Sequence, residues 1–396
     1  MQEFARNLSH GGNLSWAASL VGCSPFAILD FSASINPLGP PPSTIDAIQS
    51  HFSALPHYPD PDYWALRQAL GEVHHLPADW ILPGNGSAEL LTWAGRELAA
   101  LEATYLFTPA FGDYFRALKA FGASIVSWTL GVENQGAEGR GQEWEEQSFC
   151  HSGFNSDFVP FAQDSDRNVP PLLPTPHPSP LTSPLNNAGL LLNNPHNPTG
   201  QLFSLEAILP LLEQFSLVVV DEAFMDFLPP DRQPSLDKVI QDYPNLVILR
   251  SLTKFYSLPG LRLGYAIAHP DRLQRWQQWR DPWTVNVLAE AAAMAALKDQ
   301  AFQQQTWEWL NEARSQLFHG LAALPGLRPL PGAANFLLVE SDYPVVPLQQ
   351  QLLRQHQILI RNCLSFPELG DRFFRVAVRT VAENQRLLAG LAAVQG

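Results

Sequence analysis

The sequence predicts an α/β protein that has a large domain with a mostly parallel sheet and a smaller α+β domain at the C-terminus. Apolar runs of strand length alternate with longer helical patterns, which is the order that parallel α/β architecture requires. The clearest run is Leu-Val-Val-Val at 217–220, which suits a strand covered on both faces. The chain of 396 residues is 46% hydrophobic, which provides enough apolar mass for a large core or two adjoining ones.

Three parts are expected along the chain. An N-terminal arm over residues 1–45 joins the small domain, a large domain covers 46–285, and the small domain covers 286–396. Helical patterns at 287–297 and 302–324 carry the chain from the large domain into the small one. Residues 131–187 are rich in Gly, Pro and acidic side chains and cannot bury much surface, so they predict a mobile insertion at an edge of the fold. A linker between independent domains is the alternative, but the motifs on either side of this stretch fit one site.

Composition argues against several classes of partner. The formal net charge is −14, so the overall field repels nucleic acid and anionic membranes, and an anionic ligand must be bound by local cations. Apolar runs fall short of the roughly 18 residues that a membrane span needs, and the first ten residues lack the apolar segment of a signal peptide. Cys23, Cys150 and Cys363 are widely spaced, which predicts neither a disulfide framework nor a metal site and fits the cytoplasm.

Polar residues follow the predicted strands at the edge where ligands gather in open α/β sheets. Asp221 follows the strand at 217–220, and Lys254 follows a second predicted strand at 245–249. The segment Asn-Asn-Pro-His-Asn-Pro-Thr-Gly at 193–200 is a dense turn signal after another apolar run. By itself this segment predicts only a turn, but its order with Asp221 and Lys254 predicts a common site.

This order resembles the fold-type I pyridoxal-phosphate enzymes, the aspartate aminotransferase superfamily. The matching motifs run from His10 to Thr380 and include Ser-Leu-Thr-Lys at 251–254 and Gly-Leu-Arg-Leu-Gly-Tyr at 260–265. The resemblance implies an aspartate aminotransferase-like fold, pyridoxal 5'-phosphate as the cofactor, and the residues 46–285 as its binding domain. It covers nearly the whole chain outside the stretch 131–187.

The chemistry of this cofactor gives each residue type a reason. It needs an amine that holds its aldehyde and a carboxylate that keeps its ring nitrogen protonated, and Lys254 and Asp221 are the candidates. By resemblance, Asn197 donates a hydrogen bond to the phenolic oxygen of the ring, and Phe111 stacks on the ring. A lone lysine is usually a solvated surface charge, but the ordered set of motifs argues against that here.

The phosphate of the cofactor needs backbone donors and cations. The segment Gly-Asn-Gly-Ser-Ala-Glu at 84–89 opens a helical pattern, and a helix N-terminus attracts anions, although Ser87 alone fits an ordinary N-cap equally well. The resemblance assigns this phosphate to Gly86, Ser87, Ala88, Ser251 and Arg262. It also matches Tyr58 to a tyrosine that reaches over from the partner subunit, which implies a homodimer with shared active sites.

Three arginines near the C-terminus are candidates for the substrate. Strand alternation over 374–379 puts Arg375 and Arg379 on one face, so that both guanidinium groups face one pocket. By resemblance Arg375 grips the α-carboxylate of the substrate. Arg361 would add another cation, whereas Arg379 fits a solvated strand edge equally well.

The N-terminal segments narrow the resemblance to one branch. His-Gly-Gly at 10–12 and the stretch DFSASINPLGPP at 30–41 are similar to the L-threonine-O-3-phosphate decarboxylases of cobalamin biosynthesis, whose close kin are the histidinol-phosphate aminotransferases. In that branch the matched His10 and Arg361 bind the substrate phosphate, and Asn36 is a further substrate-binding candidate. Phe224 departs from the aminotransferase pattern because it has no hydroxyl to donate, and His196 is a second departure.

The resemblance implies decarboxylation of L-threonine O-3-phosphate to (R)-1-amino-2-propanol O-2-phosphate. A histidinol-phosphate-type aminotransferase uses the same cofactor and phosphate grip, so both reactions fit these residues. A non-catalytic ligand-binding relative is the third hypothesis. A serine acyl-enzyme built on the SxxK pattern at 251–254 does not fit, because the chain has neither SDN nor KTG to complete that site.

Overall fold

The computed structural model describes residues 11–130 and 185–395. In chain order, the strands are β1 (Leu29–Asp30), β2 (Ile81–Asn85), β3 (Ala103–Thr108), β4 (Ile125–Thr129), β5 (Leu185–Asn193), β6 (Phe215–Asp221), β7 (Leu246–Ser251), β8 (Leu263–Ala268), β9 (Leu327–Pro329), β10 (Phe336–Ser341), β11 (Ile358–Leu359), β12 (Arg361–Asn362) and β13 (Phe373–Ala377). The helices are α1 (Leu14–Val21), α2 (Pro42–Ser50), α3 (Trp64–His74), α4 (Ser87–Leu98), α5 (Gly112–Lys119), α6 (Leu205–Gln214), α7 (Leu252–Phe255), α8 (Pro270–Trp279), α9 (Val287–Ala296), α10 (Gln300–Ala322), α11 (Val345–His356) and α12 (Val381–Gln395).

The central feature is a seven-stranded sheet in the order β2-β8-β7-β6-β5-β3-β4. Strand β8 runs antiparallel to both of its neighbours, and the remaining pairs are parallel. The predicted α/β class with a mostly parallel sheet is therefore confirmed. The carboxyl ends of β5, β6 and β7 meet at one edge of this sheet, and each end carries polar residues.

Strand β6 divides its apolar residues between two cores. Leu217 and Val219 pack on one face of the sheet with helices α4, α5 and α8, whereas Val218 and Val220 pack on the other face with α3, α6 and α9. All four side chains are buried, because successive side chains of a strand point to opposite faces and both faces carry helices. The continuous apolar run at 217–220 follows from this double covering.

A four-stranded antiparallel sheet in the order β12-β13-β10-β9 occupies the C-terminal part of the chain. Helices α9 and α10 precede it at the places where the sequence predicts long helices. Strand β1 pairs in parallel with β11, so the N-terminal segment joins the C-terminal elements. The domain boundaries at 45 and 285 stay predictions.

Two predictions lie on residues that the structure does not describe. His10 precedes the first described range, and residues 131–184 of the predicted insertion fall between the two ranges. Within 11–130 and 185–395, no helix combines the length and apolar character that crossing a membrane requires.

Candidate active site

Lys254 lies on the short helix α7, directly after strand β7. Its side chain is partly buried, and desolvation lowers the pKa of its amine from 10.5 to about 8, with the charges of Arg375 and Arg262 lowering the pKa further and Asp221 opposing them. An amine with such a pKa is partly unprotonated near neutral pH, which is the state that attacks an aldehyde. These charge interactions also place Lys254 close to Asp221, Arg262 and Arg375, which are far apart in the sequence.

Asp221 ends strand β6 in a partly buried position, where two donors bind its carboxylate. The hydroxyl of Tyr114 donates to Oδ2 at 2.9 Å, and the backbone N–H of Ala223 donates to Oδ1 at 3.0 Å. Burial raises the pKa of Asp221, while these two hydrogen bonds and the charge of Lys254 lower it. The carboxylate is thus held in one orientation at the strand end, as a partner for a cationic ring nitrogen must be.

An anion cradle forms where the N-terminus of α4 meets Arg262. Gly86, the N-cap of this helix, has φ = +75°, and a Cβ there would lie 2.6 Å from Nη2 of Arg262. A Cβ on Gly264 would lie 2.4 Å from the backbone nitrogen of Ser87, so this glycine allows strand β8 to approach the helix end. The first N–H groups of a helix, here those of Ser87 and Ala88, have no partner within the helix and attract anions.

Ser251, another predicted phosphate contact, ends strand β7 beside this cradle. It is 3% exposed, and its Oγ lies 2.7 Å from Oγ1 of Thr253 and caps the short helix α7. The same residue therefore starts the helix that carries Lys254. This explains why a serine and the lysine are separated by only two residues in the sequence.

Asn197 and Phe111 lie on loops at the same edge of the sheet. Oδ1 of Asn197 accepts a hydrogen bond from Nη1 of Arg375. A guanidinium group only donates, so the amide oxygen of Asn197 faces Arg375. The NH2 group of Asn197 can then donate to another acceptor, and the predicted acceptor is the phenolic oxygen of the cofactor. Phe111 starts helix α5, and its ring meets that of Tyr114 edge to face, with the centroids 5.7 Å apart.

Arg375 is flanked by a second arginine and by an aromatic ring. Arg361 on β12 is its direct cross-strand partner on β13, so both side chains start on the same face of the sheet. Burial lowers the pKa of Arg375 to about 10, and the charge of Arg361 lowers it as well. The guanidinium of Arg375 stands 4.7 Å above the ring of Phe336, and Nη2 of Arg361 donates to Oγ of Ser365 at 2.7 Å. Two cations thus share one site.

Arg361 also lines a small pocket beside the start of helix α1, together with Gly11, Gly12, Asn13, Trp16 and Ser32. The glycines explain why the chain lies so close to Ser32. A Cβ on Gly11 would lie 2.1 Å from the carbonyl oxygen of Ser32, and the N–H of Gly12 donates to Oγ of Ser32 at 2.8 Å. His10 itself lies outside the described residues, so its phosphate contact stays a prediction.

Two predicted substrate contacts are placed differently from the expectation. Both N–H groups of the Asn36 side chain donate within the protein, to the carbonyl of Phe255 at 2.8 Å and to Oγ1 of Thr306 at 2.9 Å. No side-chain donor is then left for a substrate. The backbone N–H of Asn36 donates to the carbonyl of Lys254 at 3.1 Å, so Asn36 contributes to the site by supporting the lysine.

Arg379 is the second difference, because it does not share the pocket of Arg375. Strand β13 ends at Ala377, before this residue. Nη2 of Arg379 pairs with Glu383 at 2.9 Å, and Nη1 donates to the carbonyl of Asp30 at 3.1 Å. The guanidinium group of Arg379 is thus bound by an acidic residue four positions later in the chain. The arginine beside Arg375 is Arg361, whereas the sequence predicted Arg379 there.

Tyr58 lies apart from the cluster of this chain. Its side chain is 78% exposed, and its ring packs on Trp283 with the centroids 4.4 Å apart. Tyr58 therefore does not complete the site of its own chain. Its predicted contact with the cofactor of a partner subunit stays a prediction.

The two departures from the aminotransferase pattern are both buried. Burial lowers the pKa of His196 to about 3, so the imidazole is neutral, and its Nδ1 lies 2.7 Å from Oγ1 of Thr199 within the 193–200 loop. His196 therefore stabilises the loop that carries Asn197. The ring of Phe224 meets the ring of Phe336 at 5.0 Å, and the latter ring supports Arg375.

Two residues that contact this site were not predicted from the sequence. Tyr114 reaches Asp221 from helix α5, and Phe336 supports Arg375 from strand β10. The position of Tyr114 three residues after Phe111 was a usable signal, because residues three apart share a helix face. No local signal marks Phe336, since its contact depends on the pairing of β10 with β13.

The residues present fit pyridoxal 5'-phosphate. A partly buried amine with a lowered pKa, a partly buried carboxylate with fixed donors, and an amide whose oxygen is bound by Arg375 lie together. The cradle beside them exists only because Gly86 has no Cβ. These groups match the aldehyde, the ring nitrogen, the phenolic oxygen and the phosphate of this cofactor in turn.

Known proteins are similar to this chain in sequence and in fold. The family model for aminotransferase class I and II matches residues 27–391. A threonine-phosphate decarboxylase of Salmonella typhimurium is 39% identical over 97% of this chain and 96% of its own length. The adenosylcobalamin biosynthesis bifunctional protein CobDQ of Leptospira interrogans is 28% identical over 96% of this chain, which spans 40% of that relative. The crystal structure of the histidinol-phosphate aminotransferase from Clostridium acetobutylicum superposes with a TM-score of 0.78 at 26% identity, covering 93% of this chain and 99% of its own. The chain belongs to the aminotransferase class I and II family.

Proposed function

We propose that this protein decarboxylates L-threonine O-3-phosphate to (R)-1-amino-2-propanol O-2-phosphate in cobalamin biosynthesis. The observation that carries the proposal is the pairing of Arg361 with Arg375 beside the amine of Lys254. Two cations on one face suit a substrate with two anionic groups, a carboxylate and a phosphate. The similarity to a threonine-phosphate decarboxylase along nearly the whole chain supports the same reaction.

The cofactor that we assign is pyridoxal 5'-phosphate, which when bound supplies an electron sink for the electrons released from Cα of the substrate. Lys254 would hold it through the amine and Asp221 through the ring nitrogen. Asn197 and Phe111 would contact the ring, and Gly86 begins the segment that would hold the phosphate. The remaining contacts of that phosphate are assigned to Ser87, Ala88, Ser251 and Arg262.

Binding of the substrate at two points determines which bond breaks. Arg375 would grip the α-carboxylate, and Arg361 would grip the phosphate together with His10. With both ends held, rotation about the bond between Cα and the amino nitrogen would be restricted, so that the bond from Cα to the carboxylate would be the one positioned to break. Its cleavage would release carbon dioxide.

Lys254 would complete the reaction by moving a proton. In its protonated form, Nζ would deliver a proton to Cα at the position that the carboxylate has left. Burial keeps the pKa of this amine at about 8, which allows it to carry and release a proton near neutral pH.

The decisive experiment uses purified protein with pyridoxal 5'-phosphate and L-threonine O-3-phosphate. We expect release of carbon dioxide and formation of the phosphorylated amino alcohol, measured by a coupled assay and by mass spectrometry. L-threonine without the phosphate should react far more slowly, and the Lys254→Ala variant should release none. A protein that binds the cofactor and releases no carbon dioxide would contradict the proposal.

A histidinol-phosphate-type aminotransferase is the competing outcome of the same experiment. An aminotransferase of this type would use the same phosphate-binding residues and the same cluster of residues around Lys254. It predicts conversion of histidinol phosphate or another phosphorylated amine in the presence of a 2-oxo acid, without carbon dioxide. A cofactor-free protein whose visible absorbance is unchanged by Lys254→Ala would instead favour a non-catalytic ligand-binding relative.

We also propose that the enzyme is a cytoplasmic homodimer with shared active sites. Tyr58 is exposed and stacked on Trp283, where it is available to a partner subunit. Phe52, Leu55 and Trp64 are each more than half exposed, and such apolar exposure is typical of an interface. Widely spaced cysteines fit a reducing compartment. The division into an arm, a large domain and a small domain at 45 and 285 belongs to the same proposal.

A further inference from the structure

Tyr114 connects two of the residues that face the proposed cofactor. It is 2% exposed on helix α5, and its hydroxyl donates to Oδ2 of Asp221 at 2.9 Å. Its ring meets the ring of Phe111 edge to face at 5.7 Å and 87°. One buried side chain therefore contacts the carboxylate assigned to the ring nitrogen and the aromatic ring assigned to the ring face.

The hydroxyl of Tyr114 counteracts the effect of burial on Asp221. Burial favours the protonated carboxyl, whereas a donor to the carboxylate favours the charged form. The two oxygens of Asp221 each have one such donor, Tyr114 on Oδ2 and the N–H of Ala223 on Oδ1. Burial also keeps the pKa of Tyr114 well above 10, so this phenol remains a donor at any working pH.

Few other charges reach Asp221. Lys254 on helix α7 stabilises its charged form, and Asp113, the neighbour of Tyr114 on helix α5, destabilises it. Among the described residues, Tyr114 is the side-chain hydrogen-bond donor that favours the carboxylate form of Asp221.

We propose that Tyr114 is a positioning residue that keeps Asp221 ionised and oriented, so that the proton of the pair stays on the ring nitrogen of the cofactor. A protonated ring nitrogen is the stronger electron sink, and a neutral carboxylic acid opposite a neutral nitrogen would weaken it. The edge contact with Phe111 fixes the same side chain against the ring-stacking residue. The inference rests on the proposed cofactor but not on the proposed decarboxylation.

The test compares Tyr114→Phe with the unaltered protein in two measurements that need no substrate. In the cofactor-free protein, NMR of 13C-labelled aspartate should show that Asp221, identified by its absence in Asp221→Asn, titrates at a higher pH in the variant. The dissociation constant for pyridoxal 5'-phosphate, followed by absorbance or fluorescence, should rise about tenfold or more, as expected when a hydrogen bond to a charged group is lost.

Controls separate positioning from a general structural effect. Tyr105 lies on strand β3, and its ring packs on Trp128 and Phe215. The Tyr105→Phe variant loses a hydroxyl there and should leave the titration of Asp221 and the affinity for the cofactor unchanged. In an Asp221→Asn background, Tyr114→Phe should cause no comparable further loss of affinity, since the amide has no charge to stabilise. Melting temperature reports whether each variant folds.

An unshifted titration of Asp221 together with unchanged affinity in Tyr114→Phe would overturn the inference. An equal loss of affinity in the Asp221→Asn background would also overturn it, because Tyr114 would then act by packing alone. If the unaltered protein binds no cofactor, both this inference and the proposed function are wrong. If the cofactor binds but no carbon dioxide is released, the inference stands and only the reaction is wrong.

Discussion

Arg361 and Arg375 lie directly opposite each other on the antiparallel strands β12 and β13. Like charges at such positions repel each other, and burial lowers the pKa of both side chains. Phe336 and Asn197 hold Arg375, while Ser365 holds Arg361. A ligand with two anionic groups would relieve this repulsion, so the pair would bind such a ligand at a cost to the stability of the free protein.

Arg375→Lys tests the grip on the carboxylate. A lysine keeps the charge but loses the planar pair of donors, so we expect kcat/KM for L-threonine O-3-phosphate to fall about 100-fold, the size of a lost charged hydrogen bond or two. Steady-state kinetics measure this change. Cofactor affinity should change much less. A variant with unaltered kcat/KM would show that Arg375 does not bind the substrate.

Arg361→Met tests the phosphate grip and the repulsion together. We expect the preference for L-threonine O-3-phosphate over L-threonine to fall by about 100-fold or more, because the phosphate loses a charged partner. We also expect the ligand-free variant to unfold at a higher or equal temperature, since one of two opposed charges is gone.

Arg328→Met is the matched control for that variant. Arg328 lies on β9 of the same sheet, is half exposed and pairs with Glu340 and Asp342. Its replacement should leave substrate preference unchanged. If Arg361→Met and Arg328→Met alter the preference for the phosphorylated substrate equally, the change results from a general disturbance of the sheet and not from the loss of a contact made by Arg361.

The lowered pKa of Lys254 predicts how cofactor binding depends on pH. The pKa of the Lys254 amine is about 8 in the folded chain, compared with 10.5 for an ordinary lysine. The folded protein therefore loses this proton at a lower pH than an ordinary lysine does. The rate at which cofactor-free protein captures pyridoxal 5'-phosphate should therefore rise with pH and reach half of its maximum near pH 8. Stopped-flow absorbance measures it.

The same shift affects stability in the cofactor-free protein. Between pH 8 and 10.5 the unfolded chain holds more protons than the folded chain, so folding stability should increase with pH in this window because of this group. Lys254→Met, compared by urea unfolding at several pH values, should lose that increase. Parallel curves for the two proteins would contradict the lowered pKa.

Gly86→Ala tests the anion cradle. The new Cβ would lie 2.6 Å from Arg262 at a φ of +75°, so we expect weaker binding of the cofactor and a stability loss of about 1 kcal/mol or more. Binding titration and thermal unfolding measure the two effects. Gly112→Ala at the start of helix α5 is the control, because its added Cβ would meet no atom of another element within 4 Å. Equal cofactor affinity and equal stability of the two variants would show that Gly86 is not part of the cofactor site.

Local patterns predicted the residues that lie on strand ends. Asp221 follows a run that alternates between two cores, and Lys254 follows the next strand, so the order of the sequence was sufficient to bring them to one edge. The contacts of Asn36 and Arg379 within the chain were not predicted, because a side-chain donor can already be bound by another side chain, far away in the sequence or near it. Thr306 is such a partner of Asn36, and Glu383 binds Arg379.

The sequence by itself determined the fold class, the family and the order of the chemical groups, because the period of apolar residues and the motifs around Lys254 are local properties. The tertiary structure decided which arginine stands beside Arg375, and that Tyr114 donates to Asp221. Both contacts depend on the register of paired strands and the packing of a helix on a sheet. Such long-range geometry is fixed only when the whole core forms.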